Sequence, residues 1–169
     1  MTTDNIAYGT YTALAVTGLN ALASSATVGW QSTKVDNTST LAIDYEVLIN
    51  FAATTGTVAS DKALYFYVVP WVNSGALVPA ADFGTVTLPT GTDAAATISA
   101  TTNSMKGPYV LPIAIVGQLP KGFFTISQMC GGVVPDAWSL MVINFAGIAL
   151  AASGTTNVIG YRPITYTNA

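Results

Sequence analysis

Five basic residues, eight acidic residues, one cysteine and no histidine are the charged groups, thiol and imidazole available to this 169-residue chain. Without histidine the commonest general base and metal ligand are missing, together with every Ser-His or Cys-His nucleophile system. A single cysteine excludes a structural zinc site and an internal disulfide. Cys130 stands in Met129-Cys130-Gly131-Gly132. A reactive thiol needs a base or a nearby cation, and Lys121 lies across an apolar strand, so Cys130 is expected to be buried and inert.

Carboxylates are the remaining route to chemistry, because glycoside hydrolysis needs only two acids. Asp44 and Glu46 fall on the same side of one strand, roughly 6.5–7 Å apart, and Asp36 and Asp61 flank the neighbouring turns. An exposed strand face does not raise a carboxyl group's pKa, so these acids are expected to be solvated or to line an interface. No Asp-x-Asp-x-Asn-Gly loop favours calcium. Gly131-Gly132 and Gly154 read as turn residues, with no phosphate-binding glycine pattern around them. Asn37-Thr38-Ser39 has the form of a glycosylation acceptor, but Met1-Thr2-Thr3-Asp4-Asn5 lacks the basic region of a secretory signal. No catalytic, cofactor-binding or metal-binding residue is assigned.

The elements that would position these groups are strands. Leu41, Ile43, Tyr45, Val47, Ile49 and Phe51 alternate with Ala42, Asp44, Glu46, Leu48 and Asn50, which puts an apolar row on a core and a mostly polar row outside. Residues 62–71 are apolar or aromatic on both faces, as in a strand inside a sandwich or under a neighbouring subunit, and Pro70 marks its end or an edge. Seven further strands are predicted over 10–16, 26–35, 95–101, 109–116, 123–128, 138–144 and 158–166, each bounded by Gly, Pro, Asn or Ser. Residues 18–25 and 75–83 have room for a turn or two of helix, and 73–92 is a long connection. The expected fold is all-β: one β-sandwich domain over 1–169, jelly-roll-like, with about nine short strands and little helix. Residues 1–9 are expected to be an N-terminal arm and 163–169 a C-terminal tail.

Charged residues make up 8% of the chain, against about 25% in an average domain. Scattered singly, they give no footprint for nucleic acid and no basic patch for a membrane. The longest uncharged apolar stretch, 137–152, is shorter than the ~20 residues of a spanning helix. A surface so poor in charge is expected to be covered by other subunits, since interface cores are depleted in charge and rich in aromatics.

Several segments together resemble small virion structural proteins of tailed bacteriophages, of the capsid-decoration or cement type. They are Val35-Asp36-Asn37-Thr38-Ser39-Thr40-Leu41-Ala42-Ile43-Asp44, the aromatic strand over 63–71, Gly107-Pro108-Tyr109, Pro135-Asp136-Ala137-Trp138-Ser139-Leu140 and Asn144-Phe145-Ala146-Gly147-Ile148-Ala149-Leu150. The likeness runs from about residue 26 to residue 162. It implies a β-rich, non-enzymatic protein made in the host cytoplasm, which binds the outside of a shell built by the major capsid protein. A homo-oligomer is expected, a trimer in preference to a dimer.

The contact residues expected from the sequence are Ile6, Tyr8, Tyr11, Tyr65, Tyr67, Trp71, Ile164 and Tyr166. The two ends of the chain alternate apolar with polar residues, which suits strand addition to a neighbour's sheet edge. Tyr65, Phe66, Tyr67 and Trp71 form an aromatic set beside Val68 and Val69, without the polar partners of a sugar platform. A phage tail or fibre component and a lectin-like carbohydrate-binding module are the competing readings.

Overall fold

The computed structural model describes residues 4–52, 57–58, 62–72, 76–77, 90–98, 105–113, 119–152 and 157–168. The strands are β1 (Asp4–Tyr8), β2 (Thr12–Ala13), β3 (Val28–Gln31), β4 (Val35–Asp36), β5 (Asp44–Asn50), β6 (Ala63–Val72), β7 (Ala76–Leu77), β8 (Ala94–Thr97), β9 (Lys106–Pro112), β10 (Lys121–Thr125), β11 (Ala137–Asn144) and β12 (Val158–Asn168). A 3-10 turn covers Thr17–Leu19 and a single-turn helix, α1, covers Ile126–Met129. The first sheet runs β1-β12-β5-β10, with β2 also on β12; the second runs β7-β6-β11-β3-β8, with β4 on β11 and β9 on β6. All pairings are antiparallel. The fold is an all-β sandwich, as composition and periodicity predict.

One core fills the space between the sheets. Tyr45, Val47, Ile49, Phe124 and Ile159 enter it from the first sheet; Trp30, Leu64, Phe66, Val68, Trp138, Leu140 and Val142 enter from the second. Phe66 packs against Phe51 and Phe124, and Trp138 meets Tyr45 and Tyr161 edge to face. The opposite rows of β6 and β11 form a smaller cluster on the second sheet's outer face, where Val69, Trp71, Ala137, Met141 and Ile143 are buried. This is why residues 62–71 read as apolar on both faces. Every residue of β11 is buried.

Several expectations change at the edges of elements. The single strand expected over 26–35 is two, β3 and β4, and together with β1 and the short β7 this raises the number above nine. The strand expected over 123–128 ends at Thr125, whose side chain accepts a hydrogen bond from the Gln128 N–H and caps α1. Leu41 and Ile43 do not enter the core. Asn37 binds the Ala42 N–H and C=O and the Tyr45 hydroxyl, closing the loop before β5. Leu41 is left at φ 49°, 74% exposed. The N-terminal arm and C-terminal tail are ordered as β1 and β12, paired from Asp4↔Asn168 to Tyr8↔Ile164. Residues 18–25 contain only the end of the 3-10 turn. Asp61, Gly154, residues 99–101 and 114–116, and most of 73–92 lie outside the described residues. Among the described residues, no helix is long and apolar enough to cross a membrane.

Adjacent phenylalanines of β10 test the two faces of the first sheet. Phe124 is 2% exposed and Phe123 66% exposed. Phe124→Ala is expected to cost about 3–5 kcal/mol by denaturant unfolding, and Phe123→Ala no more than about 0.5 kcal/mol.

Candidate protein-docking face

Which way each side chain of the first sheet points follows from its strands' alternation. Ile159 and Tyr161 of β12 pack into the core, so Val158, Arg162, Ile164 and Tyr166 face outward. Cross-strand register then puts Ile6 beside Tyr166, Tyr8 beside Ile164, Glu46 beside Arg162, and Phe123 beside Leu48 on the same outer face. Ile6, Tyr8 and Tyr166 are 57%, 58% and 62% exposed, and Leu48, Phe123 and Val158 are exposed too. β12 pairs with β5 only as far as Ile164, whereas its pairing with β1 continues to Asn168. The last residues of β12 and the first of β1 therefore form a two-stranded ribbon running past β5. Its inward row is Asn5, Ala7, Thr165 and Thr167, and its apolar row looks out.

An ion pair organises the centre of this face. Arg162 Nε and Nη2 donate to Glu46 Oε2 at 2.9 and 2.6 Å, and the Tyr11 hydroxyl donates to Glu46 Oε1 at 2.8 Å. The guanidinium carbon lies 4.6 Å from the Tyr8 ring and 4.8 Å from the Tyr11 ring, within cation–π range of both. The turn carrying these tyrosines depends on Gly9, whose N–H donates to the Pro163 carbonyl at 2.8 Å. A Cβ at Gly9 would meet the Pro163 ring at 2.7 Å. Tyrosine and arginine fixed in this way are the residue types that dominate binding energy in protein interfaces.

Five of the eight expected contact residues, Ile6, Tyr8, Tyr11, Ile164 and Tyr166, come together here. Tyr65, Tyr67 and Trp71 do not; they belong to the outer face of the second sheet. Trp71 is buried there and donates to Ser139 Oγ, and Tyr65 and Tyr67 are half-buried against that cluster. Glu46, one of the acids expected to be solvated or to line an interface, lies on the face, and Arg162, Leu48, Phe123 and Val158 join it without being among the expected contact residues. Leu48 is the apolar interruption in the polar row of β5, and it was the visible signal.

The acids of β5 are committed to structure. Asp44 accepts hydrogen bonds from the Ser127 N–H and hydroxyl, tying α1 to β5. The hydrogen bond from Arg162, then that from Tyr11, hold the Glu46 carboxyl below the usual range, the opposite of what a general acid requires. Asp36 accepts from the Thr38 N–H and hydroxyl. Burial would raise Asp93, but donors from Trp30 Nε1 and the Gly18 and Thr17 N–H groups outweigh it and hold that carboxyl low. Cys130 is half-buried, and burial pushes its thiol up to about 11. Among the described residues, no three Cys, Asp or Glu side chains gather to hold a metal ion.

Two measurements follow. The folded-state pKa of Glu46 is lowered, so its contribution to stability is present above the ordinary value of 4.5 and is lost as pH falls through the lowered one. The stability difference between the native chain and Glu46→Gln, from urea unfolding across pH, is expected to hold near neutrality and shrink through that acid window. A thiol pKa about two units above the ordinary 9.0 leaves roughly a hundredfold less thiolate. Cys130 is therefore expected to label about that much more slowly in the folded than in the urea-unfolded protein.

Comparison of the chain with protein-family models, with curated proteins and with solved structures found no match, so no relative assigns a partner to this face.

Proposed function

We propose that this chain is a non-enzymatic virion structural protein that binds the outside of a phage capsid and stabilises it by clamping adjacent major capsid protein subunits. The observation that carries a docking role is the outward apolar row of the terminal ribbon. A free domain turns such a row inward or keeps its exposed patches small, and rows of this kind mark interaction sites. Exposed Tyr and Ile around an internally neutralised Arg–Glu pair suit a partner surface with little net charge. The capsid as partner rests on the resemblance of the segments quoted above to decoration proteins.

A capsid offers many identical sites, so modest contacts per copy add up when neighbouring copies also touch. A contact of standard size buries about 1,200–2,000 Å² in total. Binding only the expanded shell would stabilise that state, as any ligand stabilises the form it selects.

The test uses capsids prepared without this protein. The native chain is expected to bind them and raise their heat resistance. Ile6→Ser combined with Tyr166→Ser removes a cross-strand pair from the docking row, and is expected to abolish binding while changing the isolated domain's stability by no more than about 0.5 kcal/mol. Failure of the native chain to bind, or full binding by the double variant, overturns the proposal.

A further inference from the structure

The first sheet has two edges, and they differ in protection. β10 is preceded by Pro120, opens on Lys121, and lies beside β9, where Phe124 meets Tyr109. Proline and lysine are the usual guards of a sheet edge. β1, with the sequence Asp-Asn-Ile-Ala-Tyr, has no proline, lysine or arginine. Among the described residues, β1 pairs only with β12.

The hydrogen-bonding groups of β1 that have no strand partner among the described residues can be named. Gly9 N–H points to β12, where it meets the Pro163 carbonyl. By antiparallel alternation Ala7 and Asn5 also bond β12, and the N–H and C=O groups of Asp4, Ile6 and Tyr8 point to the open edge. β1 lies in the ribbon that runs past β5, clear of the strands that close the sandwich.

We propose that this edge takes β1 of a second copy of the chain, antiparallel and about a two-fold axis through Ile6. That register is self-complementary. Ile6 faces Ile6, Asn5 faces Ala7, and Asp4 falls opposite Tyr8 rather than opposite a second Asp4, so all five residues pair and no like charges meet. The axis stands perpendicular to the sheet, so both outward rows end on the same side. Ile6, Tyr8, Ile164 and Tyr166 of the two copies then make one continuous surface. The pairing does not depend on what that surface binds.

The test is the mass of the full chain in solution across concentration, by sedimentation or light scattering. The native chain is expected to be a dimer. Ile6→Pro removes one outward N–H per copy and leaves the ladder to β12 intact, since proline is tolerated where an edge N–H faces out. Losing two hydrogen bonds is expected to weaken association about thirtyfold, roughly 2 kcal/mol. Ile6→Ser keeps both N–H groups and is expected to remain dimeric, which separates this pairing from docking through the apolar row. A native chain that stays monomeric, an oligomer of another order, or an undiminished Ile6→Pro dimer overturns the proposal. If Ile6→Pro fails to fold, Ile6→Cys in a Cys130→Ser background decides. The paired Cα atoms would be about 5.5 Å apart, within disulfide reach. Mild oxidation is expected to give a covalent dimer, and its absence counts against the pairing.

Discussion

The complete burial of β11 governs the rest of the molecule. It bonds β6 along one edge and β3 and β4 along the other, and its two rows feed two separate apolar clusters. The central strands of the second sheet thus have side chains shielded above and below. The first sheet has one shielded face only. Seven large apolar side chains left exposed, Ile6, Tyr8, Tyr11, Leu48, Phe123, Val158 and Tyr166, lie on that remaining face.

β12 carries the two roles of the first sheet on alternate residues. Its inner row anchors it beside Trp138, and its outer row holds Arg162, Ile164 and Tyr166. Arg162 does more than neutralise Glu46. By lying against Tyr8 and Tyr11 it limits the freedom of both rings before any partner arrives. Side chains ordered in advance lose less entropy on binding, so the same contacts hold more tightly.

Period-two alternation made the sandwich legible. It located β5, β6, β11 and β12 within a few residues, because a half-buried strand repeats its chemistry every second position. It also showed that Ile6 and Tyr8 share a side, as do Ile164 and Tyr166. It could not show which side, because alternation alone does not say where the core lies; Tyr161 packing on Trp138 decides that. Leu41 and Ile43 continue the pattern of β5 yet leave the core, since the loop bonds of Asn37 override periodicity. The Arg162–Glu46 pair joins residues far apart in sequence and leaves no local trace. Tyr65, Tyr67 and Trp71 have interface chemistry, but contacts within the chain hold them.

The order of strands along the chain bears on when the outer face of the first sheet forms. β11 follows β3, β4 and β6 in the sequence, and β12 follows β1, β2 and β5, so each hub strand emerges after the partners it joins. Early strands must wait on the ribosome for pairings that span most of the chain, and such distant closures make folding slow. A product cut short before β12 lacks the strand with which, among the described residues, β1 and β2 pair, and the arginine that binds Glu46. The terminal ribbon and the Arg162–Glu46 pair at the centre of this face therefore form only once β12 has been made.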